Sequence, residues 1–195
     1  MDEIDDFLNI AYNKVLPQKG KVLISRPYMV DECFGRSVVL LTEYSEKGAV
    51  GFVLNKPLGV NLGELTDQFP SGGGSPLSMG GPVSLDTLHY LHTFGNIPGA
   101  GEVVDGIYWG GDVDVIRKFL SLSVMTPADI RFFTGYSGWS AGQLEQELET
   151  DSWLVGDIPA EKIIRPTPDL WKEALKSLGD RYKIWADFPE NPALN

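Results

Sequence analysis

The fold class is decided by two runs of sequence, Ser37-Val-Val-Leu-Leu-Thr-Glu-Tyr44 and Ala49-Val-Gly-Phe-Val-Leu-Asn55. Both runs are apolar and rich in β-branched residues, which is typical of buried strands. Only Ser45-Glu-Lys-Gly48 separates them, and a short polar connection that ends in glycine favours a hairpin. We therefore predict two strands that pair with each other.

Other elements are predicted on both sides of this hairpin. Apolar strand patterns occupy residues 21–25, 77–80, 86–93, 103–109, 130–134 and 153–155. Apolar residues recur at helical spacing over residues 2–13, 112–120, 140–149 and 167–178. Strands outnumber long helices and do not alternate regularly with them, so the chain is predicted to be α+β with a mixed sheet.

Two details of this prediction concern residues 130–155. Gly135-Tyr-Ser-Gly138 is predicted to be a turn that connects a strand to the helix at 140–149. Ser140 and Gln143 resemble the capping box that begins a helix. The helical spacing of the apolar residues after Ser140 directs their side chains inward. The predicted core therefore includes Trp139, Leu144, Leu148 and Trp153.

Composition indicates one ordinary globular domain over residues 1–195. Of the 195 residues, 43% are hydrophobic and 22% are charged, which excludes a disordered or collagen-like chain. The single cysteine, Cys33, cannot close an internal disulfide, and the acidic residues 1–6 do not resemble a signal peptide. No apolar run approaches the roughly 20 residues of a membrane-spanning helix, so we expect a cytoplasmic protein with no membrane partner.

Charge narrows the class of partners. The 16 Lys and Arg residues stand against 27 Asp and Glu residues, which gives a formal net charge of −11. Proteins that bind nucleic acid ordinarily cluster Lys and Arg to displace counterions from phosphates, and no such cluster is found. We expect no direct nucleic-acid binding.

Four stretches identify a family resemblance. They are Gly20-Lys-Val-Leu-Ile-Ser-Arg-Pro27 through Asp31-Glu-Cys-Phe-Gly-Arg-Ser-Val-Val39, Gly51-Phe-Val-Leu-Asn-Lys-Pro57, Gly80-Gly-Pro-Val83, and Gly135-Tyr-Ser-Gly-Trp-Ser-Ala-Gly-Gln-Leu-Glu145. In order and spacing they resemble the bacterial AlgH family, also called YqgE/AlgH. The resemblance covers about residues 15–160, and it leaves an N-terminal helix at 2–13 and a C-terminal segment at 166–195 as additions.

This resemblance implies a fold more than a function. It implies a single α+β domain in which a mixed, barrel-like sheet is flanked by helices. The biochemical function of the AlgH family is unknown, and its transcriptional-regulator label comes from genetics. The resemblance therefore implies no reaction and no cofactor.

A catalytic site is the first alternative suggested by the motifs. Ser137 lies in a sequence similar to a nucleophile elbow, but Trp139 stands where the second glycine of that motif belongs. A hydrolase could use Ser137 or Ser37 only with His89 or His92 as the base, because the chain has two histidines. On a predicted strand, residues three apart point to opposite faces, so this histidine pair does not predict a metal site either.

A small-molecule site is the second alternative. Arg36 and Asn55 lie at strand boundaries inside apolar runs, where they either fix loops through internal hydrogen bonds or line a shallow pocket. Such a pocket would be completed by Gly80, Gly81 and Gln143, which supply close backbone approach and an amide group. We predict a non-enzymatic regulatory or binding domain that acts through an unknown small molecule or protein partner, with no cofactor and no metal. The alternative is an uncharacterised enzyme.

Overall fold

The computed structural model describes residues 13–69 and 74–189. The helix predicted over 2–13 therefore lies outside the described residues, apart from its last position. The described strands are β1 (Val22–Ser25), β2 (Val38–Ser45), β3 (Gly48–Val53), β4 (Pro57–Asn61), β5 (Pro76–Met79), β6 (Val83–His92), β7 (Ala100–Val104), β8 (Ile107–Gly110), β9 (Ile130–Ser140) and β10 (Trp153–Gly156). The described helices are α1 (Leu62–Leu65), α2 (Val113–Ser121), α3 (Gln143–Glu149), α4 (Ala160–Ile164), α5 (Leu170–Ser177) and α6 (Asp180–Ala186).

The strands form one mixed sheet. Its main path runs β10-β1-β2-β3-β9-β6-β8-β7 with antiparallel pairing, while β5 pairs with β9 in parallel and also with β4. The predicted α+β class and the mixed sheet are therefore confirmed. Among the described residues the path ends at β10 and β7, so the barrel-like sheet implied by the family resemblance is open and does not close into a barrel.

The hairpin predicted from the two apolar runs is present. β2 and β3 pair antiparallel from Val39 opposite Val53 to Ser45 opposite Gly48. Gly48 has φ +128°, and a Cβ atom there would lie 2.1 Å from the carbonyl oxygen of Trp139 in β9. Glycine at this position thus allows the hairpin end to approach the next strand.

Side-chain alternation gives the sheet two buried faces. On β2, Val38 and Leu40 pack on the first face together with α4, α5 and α6, whereas Val39 and Leu41 pack on the second face with α3. The predicted core residues are all buried on the second face, and they are Trp139, Leu144, Leu148 and Trp153. That part of the core prediction is confirmed.

The turn predicted at residues 135–138 is wrong. These residues belong to the eleven-residue strand β9, which continues to Ser140 before α3 begins at Gln143. Gly135 has φ +63°, and β9 shifts register against β6 near this point, so the glycine bends the strand without ending it. The strand continues because β3 and β6 supply hydrogen-bonding partners on its two sides.

The single strand predicted over 103–109 is also wrong. Asp105 and Gly106 interrupt it as a tight turn, with φ +75° at Gly106, and Val104 pairs with Ile107 across the turn. Asp-Gly is a favoured hairpin turn, so the sequence gives two strands, β7 and β8.

The helix predicted over 112–120 is confirmed as α2. The carboxylate of Asp112 accepts hydrogen bonds from the backbone N–H groups of Asp114 at 2.9 Å and Val115 at 3.3 Å, which is the expected N-cap. Across residues 13–69 and 74–189, no helix combines the length and the apolar character that crossing a membrane requires.

Candidate functional site

A cavity of about 530 Å³ lies between the first face of the sheet and the segment that joins α4 to α5. Proline rings supply much of its wall, namely Pro57, Pro76, Pro127, Pro166 and Pro168. Leu54, Ile130 and Ile164 add apolar surface. Because proline rings fix the backbone φ angle, this wall has few conformations to lose when a ligand binds.

Arg131 is the polar residue that distinguishes the cavity. It lies on β9, two residues before Phe133, and its guanidinium carbon is 4.8 Å from the centre of the Phe133 ring. Residues two apart on a strand share a face, so β9 directs this arginine to the first face. Only 7% of the residue is exposed.

Neutral groups hold the Arg131 guanidinium in place. Nη1 donates to the carbonyl oxygen of Ile163 at 3.0 Å, and Nη2 donates to Ser78 Oγ at 3.0 Å and to the carbonyl oxygen of Leu54. These bonds connect β9 to β5, to the end of β3 and to the last turn of α4. They position the guanidinium but bring no negative charge to it.

The charge on Arg131 is therefore buried without an ionic partner among the described residues. Burial lowers the pKa of Arg131 to about 9, which leaves the guanidinium protonated at neutral pH. Arg165, an exposed residue, also lines the cavity and donates to the carbonyl oxygen of Ala128 at 3.3 Å. The cavity thus has two cationic side chains in a protein of net charge −11.

A smaller cavity, of about 310 Å³, lies beside α6 and is lined by Arg26, Tyr28, Trp185 and Phe188 among others. Arg26 is half-buried, and its guanidinium donates to the carbonyl oxygen of Thr150 at 3.3 Å. A partly solvated guanidinium does not need a ligand charge as a buried one does. The larger cavity is therefore the stronger candidate site.

Arg36 and Asn55, which were predicted as a pair, lie next to each other, and both side chains bond to backbone groups. Asn55 Nδ2 donates to the carbonyl oxygen of Arg36 at 2.8 Å, and Asn55 Oδ1 accepts from the N–H of Val38 at 2.9 Å. The Arg36 guanidinium lies 4.8 Å from the centre of the Trp171 ring and donates to the carbonyl oxygen of Phe188 at 2.6 Å. Of the two, only Asn55 also lines the large cavity.

Gly80 and Gly81 occupy a close approach between backbones. A Cβ atom on Gly80 would lie 2.4 Å from the carbonyl oxygen of Gly135, and one on Gly81 would lie 2.3 Å from the carbonyl carbon of Tyr136. Glycine is therefore required for packing against β9. The backbone of β9 therefore fills the space beside both glycines.

Gln143 lies apart from Arg36. It lies in α3 on the second face, where its Oε1 accepts from the Ser140 N–H at 3.0 Å and its Nε2 donates to Glu147 Oε1 at 3.0 Å. Arg36 packs on α5, on the first face. The sheet separates the two, so the five predicted residues do not line one pocket.

The two serines of the hydrolase alternative are both buried. Ser137 Oγ donates to the carbonyl oxygen of Gly80 at 3.0 Å, and Ser37 Oγ is buried without a hydrogen-bond partner among the described residues. Tyr136, the strand neighbour of Ser137, has its ring centre 5.8 Å from that of His89. Successive side chains on a strand point to opposite faces, so Ser137 points away from His89.

The two histidines lie on β6 and are held separately. His89 packs among the rings of Phe52, Trp109 and Tyr136, and burial lowers its pKa. His92 Nδ1 accepts from the N–H of Phe94 at 3.2 Å, and Nε2 lies 2.8 Å from the carbonyl oxygen of Gly110. This network assigns the proton of neutral His92 to Nε2, and burial lowers the pKa of that ring as well.

Potential metal ligands do not cluster around Cys33 or the acidic residues within 13–69 and 74–189. In the part of the chain that the structure describes, no three His, Cys, Asp or Glu side chains lie together so as to hold a metal ion. Cys33 Sγ lies 3.7 Å from Met79 Sδ, and burial followed by the Asp31 charge raises the pKa of the thiol. A raised pKa disfavours the reactive thiolate.

Sequence reasoning missed Arg131, although its signal was present. The residue stands between Ile130 and Phe132 in an apolar strand, and charged residues are rarely buried unless they are paired. The same argument was applied to Arg36. What the sequence did not show was that the proline-rich segment after α4 folds over β9.

Comparison with known proteins identifies the family. A family model described as AlgH-like matches residues 22–183. The chain belongs to the AlgH-like family. A UPF0301 protein of Bacteroides thetaiotaomicron is 42% identical over 191 residues, which is 97% of each chain.

Two solved structures share the fold of this AlgH-like protein. The solution structure of the AlgH protein from Pseudomonas aeruginosa has a TM-score of 0.70 and 29% identity, and covers 88% of this chain and 94% of that one. The crystal structure of protein DIP2367 from Corynebacterium diphtheriae has a TM-score of 0.73 at 22% identity, with 93% and 97% covered. The resemblance found in the sequence is therefore confirmed.

Proposed function

We propose that this AlgH-like protein is a non-enzymatic binding domain that takes a small organic molecule into the cavity above Arg131. The observation that carries the proposal is a cavity of about 530 Å³ that combines apolar walls with a buried guanidinium, which has no ionic partner among the described residues. Ligand sites in proteins have about this volume, and they combine apolar lining with a few polar groups.

The positions of the serines and histidines support binding over catalysis. Ser137 is fully buried and its hydroxyl bonds to a backbone carbonyl, while both ring nitrogens of His92 are engaged by the backbone. A nucleophile and its base must lie within hydrogen-bond reach of each other and of a substrate. Ser137 and His92 instead bond to backbone groups of the sheet and its loops.

The wall of the cavity suggests how binding is transmitted. Residues 165–168 join α4 to α5, and Trp171 of α5 donates its indole N–H to the carbonyl oxygen of Ser25 in β1 at 2.9 Å. A ligand that contacts this segment thus contacts a wall continuous with the helices on the first face. The partner that we propose is a cytoplasmic protein that binds these helices. The net charge of −11 disfavours direct contact with DNA, because the DNA phosphates are also negatively charged.

Thermal unfolding tests this proposal. We expect at least one compound of a metabolite library to raise the melting temperature of the purified protein, because a ligand that binds only the folded state stabilises it. Pro127→Trp, at an exposed wall position, should abolish the increase. Glu46→Trp, in the turn at the far end of β3, is the matched control and should retain it. A library without any stabilising compound, or stabilisation that survives Pro127→Trp, would refute the proposal.

A further inference from the structure

We infer that the ligand of this cavity carries a single carboxylate, which pairs with Arg131, on an apolar body that packs against the proline walls. The inference rests on the proposed function and specifies its ligand class. It starts from an imbalance of charge. Arg131 is 7% exposed, and the described residues offer it only two carbonyl oxygens and one hydroxyl.

A buried charge is costly unless an opposite charge or a sufficient set of hydrogen bonds compensates it. A guanidinium has five N–H donors, and three hydrogen bonds join Arg131 to described residues. The remaining N–H donors of Arg131 can bind a ligand, because this side chain lines the cavity. A carboxylate there would supply both the missing acceptors and the missing charge.

The charge of the ligand follows from the cations that surround it. Arg131 is the one buried cation of the cavity, and Arg165 is exposed at its wall, where solvent screens its charge. One buried positive charge balances one negative charge, which favours a carboxylate over a doubly charged phosphate monoester.

The apolar part of the ligand follows from the wall. Five proline rings and three aliphatic side chains face the cavity, so the remainder of the ligand is expected to be an aromatic or aliphatic group. An apolar group that leaves water for this wall adds affinity in proportion to the area that it buries.

Matched pairs of acids and amides test the inference. The probes are naphthalene-2-carboxylate and naphthalene-2-carboxamide, hexanoate and hexanamide, and phenyl phosphate, each titrated into the ¹⁵N-labelled full chain at constant ionic strength. We expect at least one carboxylate to move the amide signals of Ser78, Ile130 and Arg165, with an affinity at least tenfold above that of its amide. Phenyl phosphate should bind more weakly than the carboxylate.

Each outcome bears on a stated claim. Equal affinity for an acid and its amide would overturn the carboxylate while leaving the cavity as a binding site. Tighter binding of phenyl phosphate would overturn the argument from one buried charge. If none of these probes binds, the carboxylate inference fails. If the library also contains no ligand, the proposed function fails with it.

Variants locate the charge that matters. Arg131→Gln should weaken the bound carboxylate at least tenfold and leave its amide unchanged. Arg165→Gln, an exposed change that keeps the fold, should weaken the carboxylate about two- to fivefold. Arg117→Gln removes an arginine that lies 5.2 Å from the centre of the Phe69 ring, outside the cavity, and should change neither affinity. If Arg131→Gln fails to fold, the comparison of acid and amide on the full chain decides, and equal affinities there overturn the inference.

Discussion

Each face of the sheet has a charged side chain near a short helix, and the two side chains differ in the hydrogen-bond partners that the described residues provide. On the second face, Glu147 of α3 is half-buried, and its Oε2 accepts the indole N–H groups of Trp139 and Trp153, both at 2.8 Å. Gln143 donates to the other carboxylate oxygen at 3.0 Å. On the first face, Arg131 is buried beside α4, and its acceptors among the described residues are all neutral.

This difference separates a structural charge from a binding charge. The chain itself completes the environment of Glu147, so α3 needs nothing further to lie stably on the sheet. The guanidinium of Arg131 adjoins a cavity and has no carboxylate partner in the described part of the chain.

Leu148→Ala should lower the free energy of unfolding by about 2–5 kcal/mol, because it removes a buried side chain from beneath α3 and leaves a cavity. Urea unfolding followed by circular dichroism measures the change. Leu122→Ala, at a residue that is 61% exposed, is the matched control and should change stability by less than about 0.5 kcal/mol. Equal effects would mean that α3 does not depend on packing.

Glu147→Ala should cost about 2–3 kcal/mol, because it leaves two indole N–H groups without their acceptor. Glu147→Gln should cost less, since the amide oxygen still accepts a hydrogen bond. Glu149→Ala alters an exposed acid in the same helix and should be nearly neutral. A Glu147→Ala protein as stable as Glu149→Ala would contradict the view of Glu147 as a structural charge.

Arg131→Gln, measured without ligand, should cost about 1–2 kcal/mol. The change leaves buried acceptors at Leu54 and Ile163, but it also removes the cost of burying a charge, so the two effects partly cancel. Chemical unfolding of the ligand-free protein measures the difference. If Arg131→Gln cost more stability than Glu147→Ala, the chain would compensate the charge of Arg131 as fully as that of Glu147, which would contradict the distinction between them.

The contrast between the faces also marks what the sequence predicts and what it does not. The β2–β3 hairpin and the burial of Leu144 and Leu148 follow from local periodicity, because alternation and helical spacing depend on near neighbours. The turn expected at 135–138 failed, because two distant strands pair with that segment and override the local preference of glycine for a turn.

The candidate site was less predictable than the fold for the same reason. Asn55 was predicted as a polar residue at a strand end, and it lines the cavity. Arg131 depends on contacts with residues 32 to 77 positions away, which no local pattern encodes. Gln143 was grouped with Arg36 because the sequence does not show that the sheet lies between α3, which contains Gln143, and α5, on which Arg36 packs.

The smallest effect is expected from the two histidines. Burial lowers the pKa of His89 and His92, so the unfolded chain binds more protons than the folded one as the pH falls below about 6.5. Stability should therefore fall as the pH drops from about 7 towards the lowered pKa values of the two rings. His89→Phe should reduce this fall, as measured by urea unfolding at pH 7 and pH 5. An unchanged pH dependence would contradict neutral burial of the His89 ring.

The central claim, that the Arg131 charge is reserved for a ligand carboxylate, is tested most directly on the side chain itself. The measurement is the Nε–H signal of Arg131 in ¹⁵N-labelled protein, assigned by its loss in Arg131→Gln, during titration with naphthalene-2-carboxylate and with its amide. The carboxylate is predicted to shift this signal in a saturable way and to slow its exchange with water, whereas the amide leaves it in place. An Arg131 signal that stays fixed while the carboxylate saturates other signals of the cavity would contradict the claim.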